Sequence, residues 1–456
     1  MKNSQTKSKE THAIVIGGGF GGLLAGKALS KHYEKVTIIE RDAEPAPGSL
    51  APRGGAPQGP HVHFLLPQGL IAIQRLLPKF IDAITARGAN VLNLYQDMRI
   101  SDLTNFKIRV KTSRNILLMS RLLIEATIRT LVAENTNIVF KYYCNAMGLL
   151  ANFKENRITG VRLQDLTKKE EVNLYADLVV DASGASTCFP DWLEALGFDK
   201  PIITRVPMDY IQVSRWVRLP KEYQPDWKYT AYRDLTLRKG GYALRLEDDH
   251  EGAQWLFGFV SHFGEPITSS EKGFLEFAKK ILEPELFNLL KKSKPITPIK
   301  QCSVPNIRKY SYSTNKRLPT NFFAVGDAMC LWPPHTALGL ATAARAAVSL
   351  DNYLANKNIS KAVNRNRIFF NITEKSINKN WDKRINKEVI PLIHPKNSIF
   401  LKFLAWYKRA LSDLCTTNAR ASKAELDISF FPAKPFYTLF HPAIFFKVMW
   451  NKLKGK

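Results

Sequence analysis

The stretch "AIVIGGGFGGLLAGKALSKHYEKVTIIERD", Ala13 to Asp42, limits the possible folds more than any other. Four apolar residues run into five glycines among six positions. A helical pattern follows, then a second apolar run that stops at an acid. Ala13–Ile16 reads as a short buried strand. Gly22–Tyr33 reads as a helix with Leu23, Leu24, Ala28 and Leu29 on one face, and Val36–Glu40 as a second strand. The order is that of a βαβ opening. Gly17, Gly19 and Gly22 have the GxGxxG spacing, with Phe20 between the second and third. The first glycine permits the tight turn. The second lets a pyrophosphate approach the backbone, and the third lets helix and strand pack closely. The helix start offers free N–H groups and the positive end of its dipole. Glu40, with Arg41 beside it, stands where a carboxylate accepts the hydroxyls of an adenosine ribose.

A second segment, "FFAVGDAMCLWPPHTALGLATAARAA", indicates which dinucleotide is bound. A buried strand ends at Gly326-Asp327, and Gly339 and Leu340 open a helix about a dozen residues later. Asp327 can accept a hydrogen bond from a ribityl hydroxyl. N–H groups near Gly339 and Leu340 can face the N1/O2 edge of a flavin and stabilise the negative charge of reduction. NAD has no ribityl chain, so the pair of segments favours FAD. The plainer alternative is a strand–turn–helix with Asp as a cap.

The chain has 456 residues, with a hydrophobic fraction of 45%, which fits two or three globular domains rather than a disordered class. Lys+Arg 66 against Asp+Glu 40 gives +26, a charge that suits an anionic partner or reflects a basic proteome. From Asp351 onward there are 20 basic and 7 acidic residues, net +13, so half the excess lies in the tail. The five cysteines, Cys144, Cys188, Cys302, Cys330 and Cys415, have no CxxC spacing. They read as small hydrophobes in a reducing compartment, with no metal site. The polar N-terminus shows no secretory signal and no apolar run is long enough to span a bilayer, which implies a cytoplasmic location.

Several stretches resemble the class A flavoprotein monooxygenases, which have the para-hydroxybenzoate hydroxylase fold, and within them a bacterial branch similar to polyene and squalene epoxidases. These stretches are "RGGAPQGPHVHFLL" (Arg53–Leu66), "MSRLLIEATIR", "DLVVDASGASTCFPDWLEALGF" and "LPTNFFAVGDA". The resemblance implies a flavin-contacting role for Arg121. That branch shows NPxxGxG where this chain has "PPHTALG": Pro334 and Gly339 survive, Pro333 replaces Asn, and Ala337 replaces a glycine. His61 and His63 share a face if the segment is extended. With Arg53 and Gln58 they can donate to flavin, peroxide or NADPH, or they form a structural pair that ties down a Pro-rich loop. His335 is a lone candidate donor above the ring. No second GxGxxG is present, so NAD(P)H would dock transiently from outside, as the resemblance implies.

The expected architecture is α/β. A discontinuous Rossmann-like FAD-binding domain (1–65, 112–200, 305–357) joins an antiparallel substrate domain (66–111, 201–304) and a helical C-terminal region (358–456). Gly69–Gly88 and Lys272–Leu290 each read as one helix. Ile158–Leu163, Glu171–Tyr175 and Leu178–Asp181 read as one meander. The expected activity is insertion of one oxygen atom from O₂, carried as a flavin C4a-hydroperoxide, into an alkene or an electron-rich ring of a hydrophobic small molecule. No Tyr–Tyr or Asp–His relay is legible, which leans toward an alkene or lipid-like substrate. The alternatives are a flavin-dependent reductase of isoprenoid double bonds, and a catalytically silent flavin-bearing partner of a membrane or carrier protein. The basic, aromatic tail "ISFFPAKPFYTLFHPAIFFKVMWNKLKGK" suits an interfacial helix on anionic lipid, or contact with an acidic carrier protein, or simple packing on the body. Nucleic acid is not an expected partner.

Overall fold

The computed structural model describes residues 11–101, 105–234, 239–264, 266–356, 365–385, 399–430 and 436–453. Its first layer is a five-stranded parallel sheet. In spatial order the strands are Phe322–Ala324, Leu178–Asp181, His12–Ile16, Lys35–Ile39 and Ile138–Lys141. Their apolar runs lack alternation because both faces are covered: helices pack on one, and a small antiparallel meander that includes Arg157–Asp165 packs on the other. Leu178, Val179, Val180, Phe322 and Phe323 are all fully buried. The helices Phe20–Leu29 and Leu338–Ala355 pack against each other over this sheet. A further helix, Arg121–Ala133, starts at Ser120, whose hydroxyl accepts the Leu123 N–H at 3.0 Å.

The second layer is a mostly antiparallel sheet. Its order is Cys330–Leu331, Lys300–Ser311, Ile202–Arg218, Gly252–His262, Lys239–Asp249, Tyr229–Asp234 and Met98–Ser101. The last pairing, with Tyr229–Asp234, is parallel. Period-two alternation splits the long strand cleanly. Val213 and Val217 join Phe257 and Phe259 against the helices Glu271–Ile281 and Pro284–Lys292. Tyr210, Gln212, Ser214 and Trp216 face the other way, toward the parallel sheet's cleft.

The C-terminal helices form two groups. Arg365–Arg384 stacks Phe369 and Phe370 on Tyr312, Phe322 and Phe323. Ile399–Cys415, Ala419–Phe430 and Pro442–Leu453 enclose their own small core around Tyr407, Leu411, Cys415 and Val448. Ion pairs from Lys107 to Glu425 (2.5 Å) and from Arg114 to Asp427 (2.8 Å) tie that core to the body.

Three sequence expectations change. The Gly69–Gly88 helix is two helices, Pro67–Leu76 and Phe80–Ala86, because Pro78 interrupts the ladder. Lys272–Leu290 likewise breaks at Pro284 into the two helices named above. The small meander is Cys144–Asn152, Arg157–Asp165 and Glu170–Tyr175, while Leu178–Asp181 leaves it to pair with His12–Ile16. A fully apolar strand belongs in a sheet covered on both faces, and "LVVD" is such a strand.

Candidate functional site

The cradle is built from backbone. Gly17 ends the first strand with φ +103°, and a Cβ there would stand 2.4 Å from the Ala182 carbonyl oxygen. A Cβ on Gly22 would stand 1.7 Å from the Gly17 oxygen, so the helix can begin on top of the turn only with glycine at that position. Gly19 caps the helix without a side-chain bond, which leaves first-turn N–H groups facing a cavity. The Gly326–Asp327 turn reaches the same place from the far end of the chain. Gly326 has φ +65°, and its Cα lies 3.9 Å from where a Cβ on Gly21 would be. Asp327 Oδ1 lies 3.9 Å from the corresponding point on Gly339. Burial pushes the Asp327 carboxyl above the usual carboxylate range, while Arg121 and Arg308 pull it down.

A charge cluster flanks the cradle. Glu40 accepts the Gly18 N–H (3.0 Å), the Asp42 N–H (3.0 Å) and Arg53 Nη1 (2.9 Å). Arg53 also reaches Asp42 at 3.1 Å and pairs with Glu125. Arg121 Nη2 donates to Glu125 at 3.0 Å, and its guanidinium carbon lies 4.8 Å above the Phe20 ring. Arg129 Nη2 donates to the Gly18 carbonyl at 2.6 Å. Burial would raise Glu125, but Arg121, Arg53 and Arg129 together hold it below the usual range. The Arg121 Nε is buried without a partner.

This arrangement engages Arg53. The sequence groups it with His61, His63 and Gln58 as donors to flavin, peroxide or NADPH. In the structure it bridges Glu40 and Glu125, and its Nη2 lies 3.6 Å from the point a Cβ on Gly19 would occupy. It therefore stands beside the Gly17–Gly22 turn. Asp42, Glu125 and Arg129 were not anticipated; a buried acid on a helix face beside two arginines was the available signal.

His61 and His63 both line the cavity. The His61 Nδ1 is 2.7 Å from Ser214 Oγ on the antiparallel sheet, and its Nε2 is buried without a partner. His63 Nδ1 lies 3.1 Å from the His61 carbonyl oxygen. Burial holds His61 down to about 4. Burial first, then Arg121, holds His63 down to about 3, so both rings are neutral near pH 7. The indole of Trp216 donates to the Pro60 carbonyl at 2.9 Å, which pins the Pro-rich loop to the sheet. His335 is exposed at the cavity rim, edge-on to His262 at 5.3 Å, beside exposed Pro334. Leu340 is buried, and Arg41 is exposed at the cavity edge. Ala337 caps the helix Leu338–Ala355 in the left-handed region, with φ +53°.

The sheet side holds what the sequence did not reveal. Tyr210 donates to Gln212 Oε1 at 3.0 Å, and Gln212 Nε2 donates to the Tyr242 hydroxyl at 2.5 Å. The absence of a legible tyrosine pair is thus corrected: two phenols stand on the cavity wall, joined by an amide. Tyr242 reaches Gln212 across the intervening strand by lying over Gly258, where a Cβ would meet its oxygen at 2.2 Å. The polar positions Tyr210-x-Gln212-x-Ser214 were the only local clue.

Cradle and sheet wall share one cavity of about 2980 Å³ that extends to Trp406 on the helix Ile399–Cys415. Small-molecule sites span roughly 300–1,000 Å³. The space therefore admits a dinucleotide together with a sizeable second molecule. The glycine turn, the Gly326–Asp327 turn, the Arg121 Nε and the first-turn N–H groups fit a flavin dinucleotide.

A family model described as an NAD(P)-binding Rossmann-like domain matches residues 15–70. Protein Rv3254 of Mycobacterium tuberculosis is 27% identical over 359 residues, covering 76% of this chain and 73% of that protein. Among solved structures, a flavoprotein/dehydrogenase from Cytophaga hutchinsonii superposes with a TM-score of 0.64 at 14% identity, covering 98% of this chain and 100% of the other. The flavin-dependent brominase Bmp2 gives 0.63 at 14% identity, with the same coverage. PqsL from Pseudomonas aeruginosa, a probable FAD-dependent monooxygenase, gives 0.56 at 13% identity over 91% of this chain and 99% of that one. The chain is thus an α/β protein with a Rossmann-like dinucleotide-binding element and the fold of the flavin-dependent monooxygenases and halogenases.

Proposed function

We propose that the chain is an FAD-dependent monooxygenase, with NAD(P)H as reductant, that transfers one oxygen atom from O₂ to a largely apolar substrate. One observation carries the reading: the Gly17–Gly22 turn and the Gly326–Asp327 turn abut at the head of a cavity whose opposite wall is the antiparallel sheet. The first-turn N–H groups and Arg53 would hold the diphosphate, Glu40 the adenosine ribose and Asp327 the ribityl chain. Leu340 and Gly339 would place the helix dipole at the ring. Bound FAD supplies the redox and oxygen chemistry; the protein supplies position, dryness and polarity. Neutral His61 and His63 bring no charge to the wall and leave an apolar substrate undisturbed. The test is FAD uptake by the purified chain, followed by NAD(P)H oxidation under labelled O₂ with a panel of apolar substrates. Oxygen-18 in the product supports a monooxygenase. Reduced product without label supports the reductase alternative, and flavin uptake without turnover supports the silent partner.

A second reading concerns location. On the helix Pro442–Leu453, Ile444 and Val448 point inward, while Phe446 (69% exposed), Trp450 (59%) and Leu453 (80%) form an outward apolar stripe beside Lys447 and Lys452. Lys434, Lys454 and Lys456 of the expected basic face lie outside the described residues, as do the side chains of Phe436 and Tyr437. No helix among the described residues is long and apolar enough to cross a membrane. The stripe and the tail's positive charge favour peripheral docking on an anionic bilayer. F446E/W450E would weaken binding to vesicles containing phosphatidylglycerol by about tenfold or more. Equal co-sedimentation of the variant would refute docking through this stripe.

A further inference from the structure

The proposed function leaves the substrate's polarity open. The two phenols on the sheet wall constrain it, provided the cavity is the substrate site. Tyr210, Gln212 and Tyr242 are buried, at 3%, 5% and 6% exposure, and all three line the cavity. Each hydroxyl faces one atom of the Gln212 amide. The amide nitrogen donates and cannot accept. The hydroxyl that faces nitrogen must therefore send its own proton elsewhere. As placed, that hydroxyl is Tyr242, for which no acceptor is found among the described residues. Turning the amide over hands the role to Tyr210. In either orientation one phenol proton is left over, and both phenols sit on the wall of the same cavity.

A buried donor without an acceptor costs free energy comparable to a lost hydrogen bond. Burial also keeps both phenols protonated well beyond neutral pH. The surrounding wall mixes apolar Ala231, Val260 and Val304 with His262, which stands edge-on to Tyr210 at 4.8 Å, and with Cys302, which pairs with Gln212 across the sheet. We infer that Tyr210, Gln212 and Tyr242 form a substrate-binding anchor that donates one hydrogen bond to a carbonyl oxygen on an otherwise apolar molecule. A carbonyl accepts this bond without bringing a further proton that the wall would have to place. The substrate class is thus narrowed from a bare alkene to an apolar ketone, enone or quinone. Ser214 is the next residue on the same strand face, but it is engaged with His61 at 2.7 Å and adds no second anchor.

The test uses the full-length, FAD-supplemented protein and two probes that differ by one oxygen, 1-tetralone and tetralin, titrated against tryptophan fluorescence. The ketone should bind about tenfold more tightly than the hydrocarbon. Y210F/Y242F should bind both probes with the affinity wild type has for tetralin. In Q212E the carboxylate accepts from both phenols, so it too should abolish the preference. Q212E is nearly isosteric and decides the matter if the double variant fails to fold. Equal affinity for the two probes in wild type, or a preference that persists in Q212E, would overturn the assignment. Flavin uptake is read separately by visible absorbance: uptake without ketone preference breaks only this inference, whereas a chain that takes up no flavin breaks the broader reading.

Discussion

The two walls of the cavity are built by opposite means. The parallel-sheet wall is shaped by backbone, with left-handed glycines, uncapped N–H groups and a turn that brings Gly326 against Gly21, and the charges of Glu40, Arg53, Arg121 and Asp327 are set around that frame. The antiparallel wall is made of side chains: two phenols, an amide, and a Ser214 hydroxyl that holds His61 of the Pro-rich loop against the sheet. Backbone sites depend on what is missing at a position and tolerate nothing added. Side-chain sites depend on what distant strands deliver to one place.

The sharpest way to break this contrast is Gly22→Ala. A methyl 1.7 Å from the Gly17 oxygen cannot be absorbed by a rotamer change, because both partners are main chain. The expected cost is about 3 kcal/mol or more, with loss of FAD binding and of most soluble protein. Native flavin affinity in this variant, read by fluorescence quenching, would refute a backbone-built cradle.

The Pro-rich loop held against the side-chain wall answers to pH instead. His61 and His63 are held neutral by burial, to about 4 and about 3, against an ordinary value near 6.5. Between pH 6.5 and 4 the unfolded chain therefore binds more protons than the folded one. The contribution is fully present above pH 6.5 and declines as pH falls toward 4. At pH 5 each imidazole should cost about 2 kcal/mol of stability relative to pH 7. Urea midpoints at the two pH values, for wild type and His61→Asn, measure it. A variant with the same acid slope as wild type would remove His61 from the account.

The same contrast explains what the sequence disclosed. Gly17, Gly19, Gly22, Asp327 and Gly339 were legible because a backbone site needs particular residues at fixed local spacing. Leu178–Asp181 was misassigned because its pairing partner, His12–Ile16, lies more than 160 residues away. The ion pairs of Arg53 were not legible because motif resemblance says that an arginine is present, not that it pairs with the three nearby acids Glu40, Asp42 and Glu125. The Tyr210–Gln212–Tyr242 set was invisible. Its members meet only through the strand order, with Tyr242 crossing Gly258 to reach Gln212.

Gly258 is where the two modes of construction meet: a missing side chain on the side-chain wall. In Gly258→Ala the new methyl falls 2.2 Å from the Tyr242 oxygen and forces the ring aside. Loss of the Gln212–Tyr242 bond and local overpacking should together cost about 2 kcal/mol. Adding Tyr242→Ala should cost less in this background than in wild type, because the methyl and the ring compete for one space. Strict additivity in that double-mutant cycle would show that Tyr242 does not rely on the gap.

Ala337 is the converse, a side chain where the backbone asks for none. Its φ of +53° lies in the left-handed region, which costs an L-residue roughly 1–2 kcal/mol. It occupies the position where resemblance to the epoxidase-like branch expects glycine, just before the helix that would face the ring. Ala337→Gly relieves the strain but frees the unfolded chain, which returns about 0.4–1 kcal/mol of the gain. The net stabilisation should be about 0.5 kcal/mol, visible as a small rise in the urea midpoint. Flavin affinity separates two explanations for the alanine. If its methyl only strains the cap, affinity stays the same while stability rises. If it also crowds the cofactor, Ala337→Gly tightens FAD binding by more than the stability change accounts for. A fall in stability would mean that the φ > 0 cap is not strained, and that this position obeys side-chain packing rather than the backbone rule governing the rest of its wall.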